Sequence, residues 1–191
     1  MWADKRSLVL CTATLAAALA FGAPSARAAA TTYKSGLQDA GQIVAIALPV
    51  AAGSVSLFKG DWHGLVQLAA VTGLTVGTAY GLKQVIHERR PDGTDWHSMP
   101  SEQSALAFSS AAFMWDRYGW EYGLPAYAAA GFVGYARIDS KRHHWYDVAA
   151  SAGIAWIYSR LITSRYHPPV NFQTSAYASP DGGYISVSYN F

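Results

Sequence analysis

The sequence predicts an all-α bundle of about five helices, six if the N-terminal segment is retained, followed by a short C-terminal β-hairpin. Three observations carry this. Residues 40–58 and 64–82 are each 19 residues without Asp, Glu, Lys or Arg, and the five residues between them leave room only for a turn between antiparallel helices. Three shorter uncharged runs follow, of 13, 15 and 12 residues, at 103–115, 122–136 and 148–159. Beyond Arg165 the apolar period falls to two, the period of a strand.

Residues 1–28 open with Lys5 and Arg6, continue through an apolar run at 8–21, break at Gly22-Ala23-Pro24 and end on Ala26-Arg27-Ala28. This is the pattern of a secretory signal cleaved after Ala28, or at Ala30; the other reading is an uncleaved first transmembrane helix. Cleavage leaves about 163 residues, enough for one domain with a core. The single cysteine, Cys11, falls inside the signal, so the mature chain cannot use disulfides, thiolate catalysis or cysteine metal sites.

The first two helices follow from the uncharged runs. Pro49 in the first helix and Pro125 in the fourth are expected to kink or locally start them. Gly73, Gly77 and Gly81 recur every four residues on one face of the second helix, which lets a neighbouring backbone approach closely. The later runs are shorter than the roughly 20 apolar residues a bilayer-spanning helix needs. Together with a mean hydropathy of +0.09 they favour a periplasmic bundle, while the two long runs favour insertion in the inner membrane. At the C-terminus, residues 170–178 and 184–191 flank Ser179-Pro180-Asp181-Gly182-Gly183, a hairpin signal, with Val187, Tyr189 and Phe191 on one face expected to lie against the bundle. The organisation expected is therefore signal 1–28, helical domain 29–166 and hairpin extension 167–191.

Charge narrows the function classes. The net charge is +2, but residues 1–28 hold three of the 14 basic residues and one of the 12 acidic ones, so the remainder is neutral. A neutral domain lacks the clustered cations that nucleic acid requires.

Three small clusters carry chemistry. Lys83 and Arg90 are seven apart, close to two helical turns, which places both on one helix face just before Pro91. Ser101, after Pro100, is placed as an N-cap, where its hydroxyl and free backbone N–H groups favour an anion. Arg137, His143 and Asp147 form the third: with a helix starting near His143, the four-residue spacing puts the carboxylate under the imidazole, where it can fix the tautomer of a nucleophile or base.

In this order the clusters resemble the type 2 phosphatidic acid phosphatase superfamily, which includes the bacterial acid phosphatases and vanadium haloperoxidases. Its pattern is Lys-x6-Arg-Pro, then Pro-Ser-Gly-His, then Ser-Arg-x5-His-x3-Asp; here these segments read KQVIHERRP from Lys83, PSEQ from Pro100 and ARIDSKRHHWYD from Ala136. The resemblance spans roughly residues 64–160. It implies that Lys83, Arg90, Ser101 and Arg137 hold a phosphate and that His143 attacks phosphorus to form a phosphohistidine, with Asp147 orienting it. No cofactor and no metal are expected, because three cations already meet the phosphate oxygens. The substrate expected is a phosphorylated small molecule or lipid of the cell envelope, either a monoester or a diphosphate, reached from the periplasmic side.

The second segment departs from the pattern. Glu102-Gln103 stands where the family has Gly-His, and that histidine protonates the leaving group. Gln103 can donate a hydrogen bond but cannot deliver a proton. Glu102 and His97 are the substitute acids the sequence offers. The same departure supports an alternative reading, a catalytically impaired bundle that binds phosphorylated headgroups or serves structurally.

Overall fold

The computed structural model describes residues 29–168, 171–179 and 182–190; the expected export signal lies outside the described residues. Five helices and one hairpin follow in order: α1 (Ala29–Phe58), α2 (Trp62–Val85), α3 (Glu102–Tyr118), α4 (Trp120–Asp139), α5 (Trp145–Ile162), β1 (Asn171–Ser179) and β2 (Gly182–Asn190). This is the all-α bundle with a C-terminal hairpin that the sequence predicts.

Local chemistry sets the joints. Gly60, at φ 64°, makes the left-handed turn out of α1. Asp61 then caps α2 by accepting from the Gly64 amide at 2.8 Å. Gly119, at φ 93°, ends α3 and is also the N-cap of α4, so these two helices reverse across a single residue. Pro49 and Pro125 both lie inside helices that run on past them; neither starts one.

α3 is the central helix and touches the other four. Its Ala107, Ala111, Phe113 and Met114 join Ala45, Leu48 and Ala52 of α1, Leu68 of α2, and Ala126, Ala130 and Val133 of α4 in one core. Alanine at so many contact positions draws the helix axes together, which leaves Phe113 as the largest fully buried side chain. Phe113→Ala would cost about 3–5 kcal/mol, since helices already this close cannot collapse into the space. Gly134 permits the approach of α4 to the start of α5: a Cβ there would come within 2.7 Å of Val148 Cγ1.

Two expectations are corrected. The stripe of Gly73, Gly77 and Gly81 has nothing within 4 Å of where its Cβ atoms would be, so among the described residues no neighbouring helix uses it. The reason is rotational: α2 turns Leu68, Val71, Thr75, Ala79 and Lys83 inward instead. The hairpin forms in antiparallel register, from Asn171 opposite Asn190 to Ser179 opposite Gly182. Among the described residues it packs on no helix.

One end of the bundle is closed by a buried ion pair. Arg117 donates to both carboxylate oxygens of Asp61, at 2.7 and 2.5 Å, and to the Ser164 carbonyl at 2.7 Å, while the Tyr118 hydroxyl donates to Asp61 at 2.9 Å. Every charge there has a partner. The end of α2, the start of α3, the end of α4 and the start of α5 meet at the other end.

Candidate active site

α2 stops at Val85, where Ile86 turns extended (φ −89°, ψ 104°). Arg90 therefore does not share a helix face with Lys83, as the seven-residue spacing predicts. Pro91 disfavours helix at Arg90, and the chain instead folds back on itself: Glu88 and His97 form a bridge, Ser98 N donates to Glu88 O at 3.0 Å, and Arg90 N donates to Asp95 O at 3.0 Å. Arg90 Nε donates to Asp95 Oδ1 at 2.7 Å, which fixes one edge of its guanidinium. The loop is tied to the α4–α5 turn where Asp92 N donates to Lys141 O at 3.1 Å.

Lys83, buried in the last turn of α2, holds Glu102 Oε1 at 3.0 Å. Ser101 is the N-cap of α3, as its position predicts, and its Oγ accepts from Ser104 N at 3.4 Å and from Ser104 Oγ at 2.9 Å. Glu102, the first residue of α3, thus brings a carboxylate to a helix N-terminus and a cation at once.

The helix carrying Asp147 begins at Trp145, with His144 as its N-cap, so His143 precedes the helix. The His143–Asp147 pair nevertheless forms, with His143 Nδ1 3.6 Å from Asp147 Oδ2. That is too long for a hydrogen bond. Nδ1 lies 2.7 Å from the Ser98 carbonyl, which can only accept, so the proton resides on Nδ1 and Nε2 keeps its lone pair. Asp147 Oδ2 accepts instead from Ser98 Oγ at 2.5 Å and from His144 N at 2.8 Å.

Electrostatics follow from burial. Burial pushes the His143 imidazole below its ordinary 6.5; Asp147 opposes this and Arg137 adds to it, so the ring is neutral at neutral pH. Burial alone would raise the Asp147 carboxyl, but His143, Ser98 and the His144 amide outweigh it and hold the group ionised below the usual range. Arg137 is 4% exposed, and its Nε and Nη1 have no hydrogen-bond partner. Its guanidinium is pushed down to about 10, first by burial and then by Arg90 and Arg142. A buried cation with two unmet donors is costly unless an anion completes it.

The substitute acids separate. His97 is exposed, with its ring 6.3 Å from that of His87. Glu102 sits on Lys83, and Gln103 follows it in the first turn of α3. Glu88, His144 and Asp147 bring ligand atoms within 4.8 Å of one another and are the group that could hold a cation. Each also has protein partners: Tyr146 donates to Glu88, His144 stacks on Tyr146 at 4.8 Å, and Asp147 is held as above. Sequence reasoning missed Ser98, Asp95 and Tyr146. Ser98 meets a residue 49 positions away, a pairing no local period signals.

No protein-family model matches the chain. Over 143 residues the chain is 36% identical to a Lipid A 4'-phosphatase of Helicobacter pylori, an alignment covering 69% of this chain and 72% of that protein. It is 37% identical over 76 residues to a Lipid A 1-phosphatase of Porphyromonas gingivalis, covering 38% of this chain and 17% of that protein. Among solved structures, Aquifex aeolicus LpxE matches in fold with a TM-score of 0.50 at 20% identity, over 63% of this chain and 83% of that one.

Proposed function

The chain belongs to the type 2 phosphatidic acid phosphatase superfamily and is a phosphatase, and from that premise we propose that it removes phosphate from the sugar headgroup of a lipid A-type glycolipid through a phosphohistidine. The observation that carries this reading is Arg137: a buried guanidinium with two unmet donors, beside an imidazole whose Nε2 is free.

In the proposed reaction Lys83, Arg90 and Arg137 take the phosphate oxygens, with the Ser101 hydroxyl and the first amides of α3 beside them. His143 Nε2 attacks phosphorus, an N–P bond forms, and the P–O bond to the sugar breaks. The ring gains a positive charge, which the Asp147 carboxylate 3.6 Å away stabilises. Phosphate entering as the monoanion displaces Glu102 from Lys83 and hands the carboxylate its own proton, which the departing oxygen then takes. Water then attacks the phosphohistidine and returns a proton to Glu102. Phosphate leaves and the imidazole is neutral again. No step needs a metal.

Residues 29–166 are proposed as the phosphatase domain, with 167–191 an extension. α1 and α2 contain stretches of 23 and 24 residues long and apolar enough to cross a membrane, and they expose Ile43, Val50, Leu57, Val66 and Val85. This supports membrane association, with the site proposed to face the periplasm after export.

The test is phosphate release from phosphorylated lipid A in detergent micelles by the wild-type protein and His143→Ala. Release by the first and none by the second, with circular dichroism unchanged, supports the reading. Full activity of His143→Ala overturns the phosphohistidine. Glu102 on Lys83 together with Gln103 favours one second reading, a binder without turnover; micelle binding with no release by the wild type would establish it.

A further inference from the structure

Ser98 lies between the two groups on which a phosphohistidine mechanism depends, and touches both. It is fully buried. Its carbonyl accepts the His143 Nδ1 proton at 2.7 Å, and its hydroxyl donates to Asp147 Oδ2 at 2.5 Å. Its amide donates to Glu88 O at 3.0 Å, which fixes it to the loop that carries Arg90.

The two side-chain partners differ in what they could do without Ser98. Asp147 stands 3.6 Å from His143 Nδ1, outside hydrogen-bond range, so the carboxylate does not itself grip the ring. What holds it at that distance is its own set of donors, Ser98 Oγ and the His144 amide. The His144 ring adds a contact from the other side, with Nδ1 3.5 Å from Oδ2. Oδ1 has no partner. A carboxylate anchored through one oxygen pivots about it when a donor is lost, and the distance to the imidazole changes with the pivot.

We infer that Ser98 is a positioning residue for the proposed reaction: its carbonyl sets the tautomer of His143, and its hydroxyl fixes Asp147 where the developing imidazolium charge is stabilised. The inference rests on the phosphohistidine reading. It also assigns the two halves of Ser98 to different fates on mutation, because a side-chain change leaves the carbonyl in place. Ser98→Ala therefore keeps the nucleophile's tautomer and loses only the control of the carboxylate. The effect belongs to the charged transition state and not to the bound ground state.

The experiment compares wild type, Ser98→Ala and Ser98→Thr, each also in an Asp147→Asn background. Ser98→Ala is expected to lower kcat about 10- to 100-fold, the worth of a hydrogen bond to a charged group, with KM within about twofold. Ser98→Thr, which restores the hydroxyl, is expected to recover most of kcat. In the Asp147→Asn background Ser98→Ala should add little, since the pair acts as a unit. Ser98→Ala with unchanged kcat, or a loss fully additive with Asp147→Asn, overturns the inference.

Binding separates this outcome from failure of the functional reading. Vanadate can accept a fifth ligand and so imitates the transition state, whereas sulfate only fills the cradle. Ser98→Ala should weaken vanadate about 10- to 100-fold and leave sulfate within about twofold, whether or not the wild type turns over any lipid. Equal loss of both anions would make Ser98 a structural residue and overturn the inference. A wild type that binds both anions normally yet releases no phosphate refutes the functional reading alone.

Discussion

Arg137→Met should make the protein more stable and nearly inactive at the same time. The guanidinium is 4% exposed and is pushed from 12.5 down to about 10 by burial, Arg90 and Arg142. At 1.36 kcal/mol per pK unit, holding that charge buried costs the folded protein up to about 3 kcal/mol. Met keeps most of the apolar stem and removes the charge, so the variant should recover about 1–3 kcal/mol. For a domain of this size that raises Tm by about 2–10 °C. The same change removes two charge-assisted hydrogen bonds to phosphate, together about 3–6 kcal/mol, so kcat/KM should fall by about 10²- to 10⁴-fold.

The assay is thermal unfolding beside phosphate release, with Arg117→Met as the internal control. Arg117 is equally buried, but all its charge is met by Asp61. Removing it leaves that carboxylate uncompensated and should cost about 3–5 kcal/mol. The two substitutions are chemically identical and should move Tm in opposite directions. If Arg137→Met lowers Tm as Arg117→Met does, Arg137 is a structural arginine and the phosphate cradle argument fails.

Three further outcomes follow from the site. Gln103→His should add an acid better matched to neutral pH than Glu102 and raise turnover of alkyl phosphate monoesters by about 10²-fold, and of aryl phosphates or diphosphates far less, because only a poor leaving group needs the proton; equal gains on both would show that proton delivery does not limit the natural sequence. The proposed attack needs the neutral ring of His143, and burial holds its pKa below 6.5. The rate kcat/KM should therefore stay level as pH falls through 6.5 and drop only at lower pH, and an acid limb above 6.5 would contradict the assignment. EDTA should leave the rate unchanged while vanadate suppresses it; loss of activity on chelation, restored by a divalent ion, would move the chemistry to Glu88, His144 and Asp147.

Much of the fold was legible because it is written in local periods. Uncharged runs and their breaks gave five helices, Ser101 announced its own cap, and period-two residues gave the hairpin. The residues the sequence singles out for the candidate site come from segments that meet at one end of the bundle, but the way those segments join is not in the spacing. Seven residues make two turns and so predict one helix face for Lys83 and Arg90, yet α2 ends at Val85 and Arg90 lies on the loop beyond it. The spacing of His143 and Asp147 predicts a pair at the start of a helix, and the pair forms there, with His143 two residues before the first helical residue, Trp145. Ser98 was not found at all. Such contacts are set by how segments far apart in sequence are brought together, and the backbone groups that make them, such as the Ser98 carbonyl, are the same in every residue.

The two buried arginines give the bundle an axis. At one end Arg117 meets Asp61, Tyr118 and Ser164, and both charges of the pair are met within the chain. At the other, Arg137 keeps two donors unmet and Asp147 one oxygen unmet, both fully enclosed. A protein selected only for stability would have paired or removed these groups, as it did at the far end. Lys83 is only partly satisfied by a mobile class of partner, a half-exposed glutamate at a helix start that an incoming phosphate can replace. The loop from Ile86 to Pro100 belongs to the same division. Its backbone bonds close on Glu88, Asp95 and Lys141, and it brings Arg90 near enough to lower the Arg137 guanidinium pKa. Preorganisation of this kind is what phosphoryl transfer asks of a protein, since the chemistry needs position and charge more than it needs reactive groups. In the proposed reaction the closed end supplies the stability that lets the open end stay unsatisfied until phosphate arrives.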